Sequence, residues 1–561
     1  MLPVVDSKRL DASFDLIVIG AGINGAGVAR DAAMRGLNVL LLDKGDIAGG
    51  TSSWSTRLIH GGLRYLEHGE FGLVRESLRE RDLLLHIAPH LVRPLPILIP
   101  LFKNARRGAW TIRAGMLAYD ALSFGKSLPH HRMLTPREVL ERAPGLETEG
   151  LLGATLYYDA QVEFAERLVL ENALSAKEHG ATVITYARVN KFIVENGTVH
   201  GVEITDRFSG ENYSVRGRIT INAAGPWVDE VAGPLAAMRM IGGTKGSHII
   251  VAPFAGAPST ALYVEAKADR RPFFIIPWNK NFLIGTTDKR YEGDLDAVEI
   301  AEPEIEYLLG ETNRVIPKAN LTRVSILFTY SGVRPLAFSQ NSFGHLEQSI
   351  TRRHFIRDHA PRLNNFLSLV GGKLTTFRSL SEQAVNLAFK KLRLTAPPCS
   401  THEEPLPGAG TPDFEAFRAQ FAARSELPIR TSDHLFRVYG VRATSVLKLV
   451  AGNPALLETI SAETGAIAAE VVFSFQQELA RTLADCLLRR TMVGLNSSMG
   501  IPVDEAAAKI GQEHLGWTSE RARDEVAAYR NHIRRFHARG LRASTGAGAG
   551  PQNERGPNVI E

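Results

Sequence analysis

Six residues near the start of the chain, Gly20-Ala21-Gly22-Ile23-Asn24-Gly25, limit its folding more than any other feature. They spell G-x-G-x-x-G. The apolar run Leu16-Ile17-Val18-Ile19 leads into them. A helical pattern from about Gly22 to Arg35 leads out and is closed by Gly36. A second apolar run, Asn38 to Leu42, ends on Asp43. Strands apolar at every position belong in a parallel sheet covered on both faces, so the unit reads as β-α-β. In that setting each glycine has a task. Gly20 permits the tight turn, Gly22 lets backbone N–H groups approach a pyrophosphate, and Gly25 lets the helix lie against the strand. The helix N-terminus adds orphan N–H donors and a positive dipole end. Asp43 is placed to accept from a ribose hydroxyl. The turn predicts a bound dinucleotide but does not by itself tell NAD from FAD.

Composition sets the frame. At 561 residues the chain has room for three or four units of about 150 residues each. A hydrophobic share of 44% with 22% charged residues excludes a disordered or collagenous chain. Two cysteines, Cys399 and Cys486, exclude a disulfide scaffold and point to a reducing compartment. No apolar run approaches the roughly 20 residues of a membrane span. The richest run, Leu95 to Phe102, carries Pro96 and Pro100. Met1 to Arg9 lacks the basic-then-apolar order of a secretory signal. The expectation is a cytoplasmic protein, with peripheral attachment to a membrane left open. A net charge of +5 and a pI near 9.1 favour anionic partners, or serve solubility alone.

Further along, Phe71 to Ala88 reads as a helix and Ala181 to Tyr186 as a strand. Val189 to Val194 and Val199 to Thr205 read as a hairpin around Asn196-Gly197. Ile219 to Asn222 is another buried strand. Ser247 to Val251, Phe273 to Trp278 and Phe282 to Thr287 look like an antiparallel sheet of a second unit. From about residue 412 the pattern is helical, with Gln476 to Arg490 as the clearest amphipathic helix. Arg542 to Glu561 is Gly-rich and polar, and disorder is expected there.

Three small-residue stretches sit where a long buried ligand needs backbone contact. They are Gly49 to Ser53 and the run beyond it, Asn222 to Trp227 after a strand, and Gly371 to Thr376 before a helix. They suit a flavin dinucleotide better than a transient nicotinamide. On these residues the chain resembles the FAD-dependent, aerobic glycerol-3-phosphate dehydrogenases, within the D-amino-acid-oxidase-like flavoprotein fold. The resemblance rests on Gly20 to Gly25, Thr51-Ser52-Ser53, Leu58 to Glu67, Ala88 to Leu91 and Gly225-Pro226-Trp227. It continues through Lys245 to His248, Ile284 to Asp288, Tyr330 to Leu336, Gly371 to Thr375, and Glu478 to Thr491 in the helical segment.

The resemblance implies an α/β fold: a Rossmann-like FAD-binding domain, an antiparallel-sheet substrate domain and a C-terminal helical domain. The expected boundaries are 12–74, 152–235 and 336–395 for the FAD-binding domain and 75–151 and 236–335 for the substrate domain. Residues 400–540 form the helical domain and 541–561 a tail. Expected cofactor contacts are Gly20, Gly22, Gly25, Asp43, Thr51, Ser52 and Ser53. Also expected are His60, Gly62, Leu63, Val189, Ala224 and Gly225, and then Gly372, Lys373, Leu374 and Thr375.

The implied reaction is oxidation of glycerol 3-phosphate to dihydroxyacetone phosphate, with electrons passed to a membrane quinone and hence peripheral attachment to the cytoplasmic membrane surface. A dianionic phosphate calls for several cations beside rigid turns, and Arg64, Arg334 and Lys373 are the candidates, with Tyr65 as a further donor. Arg334 is also expected to polarise the hydroxyl. His248 is the candidate base, since a histidine suits proton abstraction near neutral pH. His60 is the runner-up, with a flavin-bonding role preferred. No metal site is expected: there is no H-E-x-x-H and the cysteines are far apart. Leu95 to Leu117 mixes Leu98, Ile99, Leu101, Phe102, Trp110, Ile112 and Met116 with Lys103, Arg106, Arg107 and Arg113, and reads as a lipid-facing wedge or as ordinary cap structure. Arg530 to Arg542 reads as a lipid or nucleic-acid patch or as a solvated helix face. An oxidase that passes electrons to oxygen, an amine or amino-acid oxidase, and a flavin-binding protein without turnover stay open as alternatives. Nucleic acid is not expected as a partner, and a homodimer is an open alternative.

Overall fold

A computed structural model describes residues 10, 13–67, 69–103, 108–123, 125, 127–235, 238–338, 353–424 and 426–539. The Gly-rich tail expected to be disordered lies outside the described residues.

Two sheets organise the molecule. The first is built around Phe14–Ile19, flanked by Val39–Leu42 and Thr182–Ile184 on one side and Asn212–Asn222 and Phe366–Val370 on the other, all parallel. Val39–Leu42 is buried at every position, as a strand covered on both faces must be. The helices Ile23–Met34, Ala165–Glu178 and Phe377–Leu392 cover one face, packing Ala26, Ala29 and Ala33 against Leu380 and Ala384. The hairpin Ala187–Glu195 and Thr198–Asp206 turns at Asn196 and Gly197, both with positive φ (49° and 70°), and extends Asn212–Asn222.

The second, ten-stranded sheet carries Thr244–Val251 between Asn281–Gly285 and Ile326–Arg334. It is antiparallel except where Ala261–Glu265 runs parallel to Val92–Phe102. Leu151–Val162 pairs with Val92–Phe102 along its whole length and belongs to this sheet. The boundary placed at residue 152 therefore moves to about 163, because register with Val92–Phe102 holds the strand there.

That pairing also corrects the expected lipid wedge. Leu98, Ile99 and Leu101 are buried core residues of a strand, not a surface wedge, and Met116 is buried as well. Of the wedge, Trp110 (80% exposed) and Leu117 (58%) stay on the surface, on the helix Ala109–Leu122. The C-terminal unit is helical. The single helix expected over 476–490 is two, Ala468–Gln477 and Leu483–Arg489. Leu479 turns to φ 61° and Thr482 caps the second helix by accepting from the Asp485 N–H (3.2 Å). The break lets Glu478 reach Arg167, at 2.6 and 2.9 Å, in the unit below.

Candidate active site

A cavity of about 1990 Å³ runs between the two sheets and reaches the C-terminal helices. One wall is the glycine turn. Gly20 sits at φ 103° and its N–H donates to the Leu42 carbonyl (2.7 Å). A Cβ on Gly25 would collide with the Gly20 carbonyl oxygen, so the helix can approach only because that side chain is missing. The Ile23 N–H, at the helix start, donates to Ser52 Oγ (3.1 Å). Asp43 accepts from the Ala21 N–H at Oδ2 (2.6 Å) and from the Gly45 N–H at Oδ1 (2.8 Å). Each oxygen keeps a lone pair for a further donor. Burial pushes the Asp43 carboxyl up.

The expected cofactor residues Gly20, Gly22, Asp43, Thr51 and Ser52 line this cavity, as do His60, Gly62, Leu63, Val189, Ala224 and Gly225. Gly372, Lys373, Leu374 and Thr375 close the same wall from the third stretch. Gly25 lies behind the turn. Ser53 is a correction: it is buried away from the cavity and its hydroxyl donates to the Ala48 carbonyl (2.6 Å), bracing the loop. Thr51 Oγ1 donates to the Val333 carbonyl (2.7 Å), and the His60 N–H donates to Thr375 Oγ1 (3.1 Å).

The opposite wall is the second sheet. His248 lies in the middle of Thr244–Val251, buried, with Nε2 3.0 Å from Thr56 Oγ1. Its Nδ1 has no hydrogen-bond partner among the described residues. Burial, then the Arg334 and Arg57 charges, holds this imidazole well below the usual histidine range, so it is neutral at neutral pH. Arg334 ends the neighbouring strand. It donates to Asp288 Oδ1 and Thr286 Oγ1, each at 3.1 Å. Lys373 Nζ stands 3.7 Å from the Tyr65 ring centroid, which brings two of the candidate substrate contacts together. Arg64 opens the short helix Arg64–Glu67. Its side chain lies outside the described residues.

Several wall residues escaped the sequence reading. Arg57 is fully buried in a bidentate pair with Glu166 (2.7 and 2.8 Å) and faces the Trp278 ring. Arg271 donates to the Asp288 carbonyl. Thr56 meets His248. None carries a local motif, since their partners lie as far as 192 residues away. One signal was present. Gly246 and Gly285 interrupt strands, and a strand glycine often marks a close approach. A Cβ on Gly246 would strike the Arg334 guanidinium, and one on Gly285 would strike the His248 ring.

A pyrophosphate-cradling Rossmann half facing a sheet that carries a neutral histidine and an arginine defines a dinucleotide-dependent oxidoreductase. Residues 15–376 match the FAD dependent oxidoreductase family, and residues 399–522 match the C-terminal domain of alpha-glycerophosphate oxidase. A glycerol-3-phosphate dehydrogenase of Synechocystis is 49% identical, over 93% of this chain and 97% of that protein. A D-erythritol 1-phosphate dehydrogenase of Brucella abortus is 41% identical, over 85% of this chain and 94% of that protein. The structure of a Bacillus halodurans glycerol-3-phosphate dehydrogenase complexed with FAD superposes with a TM-score of 0.77 at 26% identity, covering 96% of this chain and 99% of that one. The chain belongs to the glycerol-3-phosphate dehydrogenase family of FAD-dependent oxidoreductases. Its residues fit FAD. Gly20 and Gly25 let the strand and helix close up at the turn where a side chain would strike backbone, and the buried Trp227 indole N–H beside the cavity has no acceptor among the described residues. No helix among the described residues is long and apolar enough to cross a membrane.

Proposed function

We propose that this protein oxidises sn-glycerol 3-phosphate to dihydroxyacetone phosphate and passes the electrons to a membrane quinone. The observation that carries the reading is the placement of His248 and Arg334 on neighbouring strands at one cavity wall, with Lys373 and Tyr65 on the cofactor side of the same cavity. In this reading Gly20 to Asn24 would hold the FAD pyrophosphate and Asp43 the ribose. Val189, Ala224 and Trp227 would hold the adenosine end, and His60 and Gly372 to Thr375 the flavin end. FAD, when bound, supplies a two-electron acceptor for the hydride that leaves substrate C2. Arg334, Lys373 and Arg64 bind the phosphate and fix C2. With Nε2–H donated to Thr56, His248 Nδ1 holds the lone pair that takes the hydroxyl proton. Depressed basicity keeps that lone pair open, and Arg334 lowers the cost of the alkoxide charge as it develops.

Anaerobic titration of the yellow holoprotein tests this. Glycerol 3-phosphate should bleach the flavin, and a soluble quinone should restore the colour much faster than air. Equal recovery in air with peroxide makes it an oxidase, and no bleaching removes the substrate. The similarity to the Brucella enzyme supports a second reading, D-erythritol 1-phosphate as substrate, tested by the same titration. For the membrane, Trp110 and Leu117 with the neighbouring Arg113 support a lipid-facing patch on the helix Ala109–Leu122. Loss of vesicle binding in Trp110→Ser/Leu117→Ser would support that role, and unchanged binding would remove it.

A further inference from the structure

The basic stretch after residue 530, read from sequence as a lipid patch or solvated face, is neither along its whole length. The helix Ser519–Ile533 runs into a tight turn, Arg534–Phe536. That turn is pinned to the active-site sheet. The Phe536 carbonyl accepts from Thr329 Oγ1 (3.2 Å), on the strand that ends in Arg334, and the Phe536 ring packs 4.7 Å from the Trp54 ring. This anchoring places His532 and Arg535 on the wall of the main cavity, together with Arg334, Arg271 and Arg489.

The charges there do not balance. Arg489 is paired with Asp46 and Asp485, and Arg334 with Asp288. Arg535 is different. Its one hydrogen bond goes to a neutral acceptor, the Asp296 carbonyl (3.0 Å), and among the described residues it forms no ion pair. The Asp296 carboxylate is taken by Lys44 (2.8 Å). Arg535 Nε and His532 Nε2 are both shielded from solvent and have no hydrogen-bond partner among the described residues. A half-buried guanidinium whose nearest carboxylates, Glu299 and Asp296, stay beyond ion-pair distance is costly to fold around, and unpartnered polar nitrogens at a cavity wall call for a partner.

We propose that Arg535 and His532 form an anion site on the cavity wall, separate from the Arg334 and Lys373 pair, that takes a phosphate dianion. A guanidinium suits two phosphate oxygens at once, and the imidazole offers one further donor. The phosphate is either that of the incoming substrate, drawn along a positive wall toward Arg334, or free inorganic phosphate that competes with it. The first source rests on the proposed substrate, while the site itself does not.

The test uses FAD-loaded full-length protein. Inorganic phosphate binding is measured by calorimetry on the wild type, Arg535→Gln, Arg535→Lys and His532→Gln. Arg535→Gln should weaken phosphate binding about tenfold or more, and Arg535→Lys should recover part of it. If the site serves substrate, Arg535→Gln also raises KM for glycerol 3-phosphate about tenfold and flattens the salt dependence of kcat/KM. If it serves free phosphate, KM in phosphate-free buffer is unchanged and phosphate inhibition is lost. Wild-type protein that binds no phosphate, or Arg535→Gln that binds it as well as wild type, overturns the site. Loss of FAD from Arg535→Gln also overturns it, by giving the guanidinium to the cofactor. Arg535-dependent phosphate binding in a protein whose flavin glycerol 3-phosphate does not bleach sinks the substrate reading and leaves the site standing.

Discussion

At the scale of single residues the site depends on what is missing as much as on what is present. Gly285→Ala puts a methyl group into the His248 ring, and a displaced base costs about 10²-fold in kcat/KM. FAD content should stay at the wild-type level, and flavin absorbance alongside steady-state rates checks both. His248→Asn should lower the rate of flavin bleaching by about 10²- to 10⁴-fold in stopped flow, the range a general base contributes. The pH profile follows from the imidazole's neutrality. A base held well below its usual range stays unprotonated as pH falls through 6.5, so the acid limb of kcat, free of the substrate phosphate's own titration, should lie clearly below 6.5. A limb at 6.5 would mean that another group is the base. The Gly-rich wall was legible in the sequence because a glycine requirement is local: Gly20, Gly22 and Gly372 mark their own turns. Thr56 and Arg57 were not legible, since each matters only through a partner far along the chain, His248 on a strand and Glu166 on a helix.

At the scale of elements, the loop after Val39–Leu42 is gripped by the C-terminal unit. Asp46 receives Arg490 at both oxygens (2.7 Å each) and Arg489 Nε at 2.5 Å, all buried. Burial alone would raise the Asp46 carboxyl, but the two guanidiniums pull it below the usual range. Asp46→Ala leaves the buried Arg490 without its carboxylate and Arg489 with Asp485 alone, and should cost about 3–5 kcal/mol. Because the Ala48 N–H donates to the Ala21 carbonyl (3.0 Å), the same change should loosen the glycine turn and speed release of FAD. Thermal unfolding of the apoprotein and flavin release from the holoprotein read the two effects. This grip also shows why the helical pattern over 476–490 misled. Its amphipathic spacing was real, but Glu478 is worth more beside Arg167 and Arg442 than on a solvated helix. Likewise, the proline-bearing run at Leu95 to Phe102 gave no periodic signal, and it is a strand only through its register with Leu151–Val162 and Ala261–Glu265 in the same sheet.

For the whole molecule, acid should act in two windows. His248 and His532 are held neutral by burial and by nearby arginines, His532 at about 3. The unfolded chain protonates both near pH 6.5 and the folded chain does not, so stability falls as pH drops below 6.5. Each group removes up to about 1.4 kcal/mol per pH unit. Asp46, Glu171 and Glu478 sit below the usual carboxylate range, against the effect of their burial, and their contribution is lost only below about pH 4. A Tm that declines from pH 6.5 to 5 and then drops more steeply below 4 is the expected profile. A flat Tm between 7 and 5 contradicts the first window. The Thr329 bond to Phe536 carries one more consequence, which concerns time. A growing chain folds from its N-terminal side as it leaves the ribosome. The residues of the glycine turn all lie within the first fifty, yet the opposite wall waits for residue 536. Cofactor capture is therefore a late event in the life of the nascent chain. A ribosome stalled at residue 500 should display a folded Rossmann half that cannot yet keep its flavin.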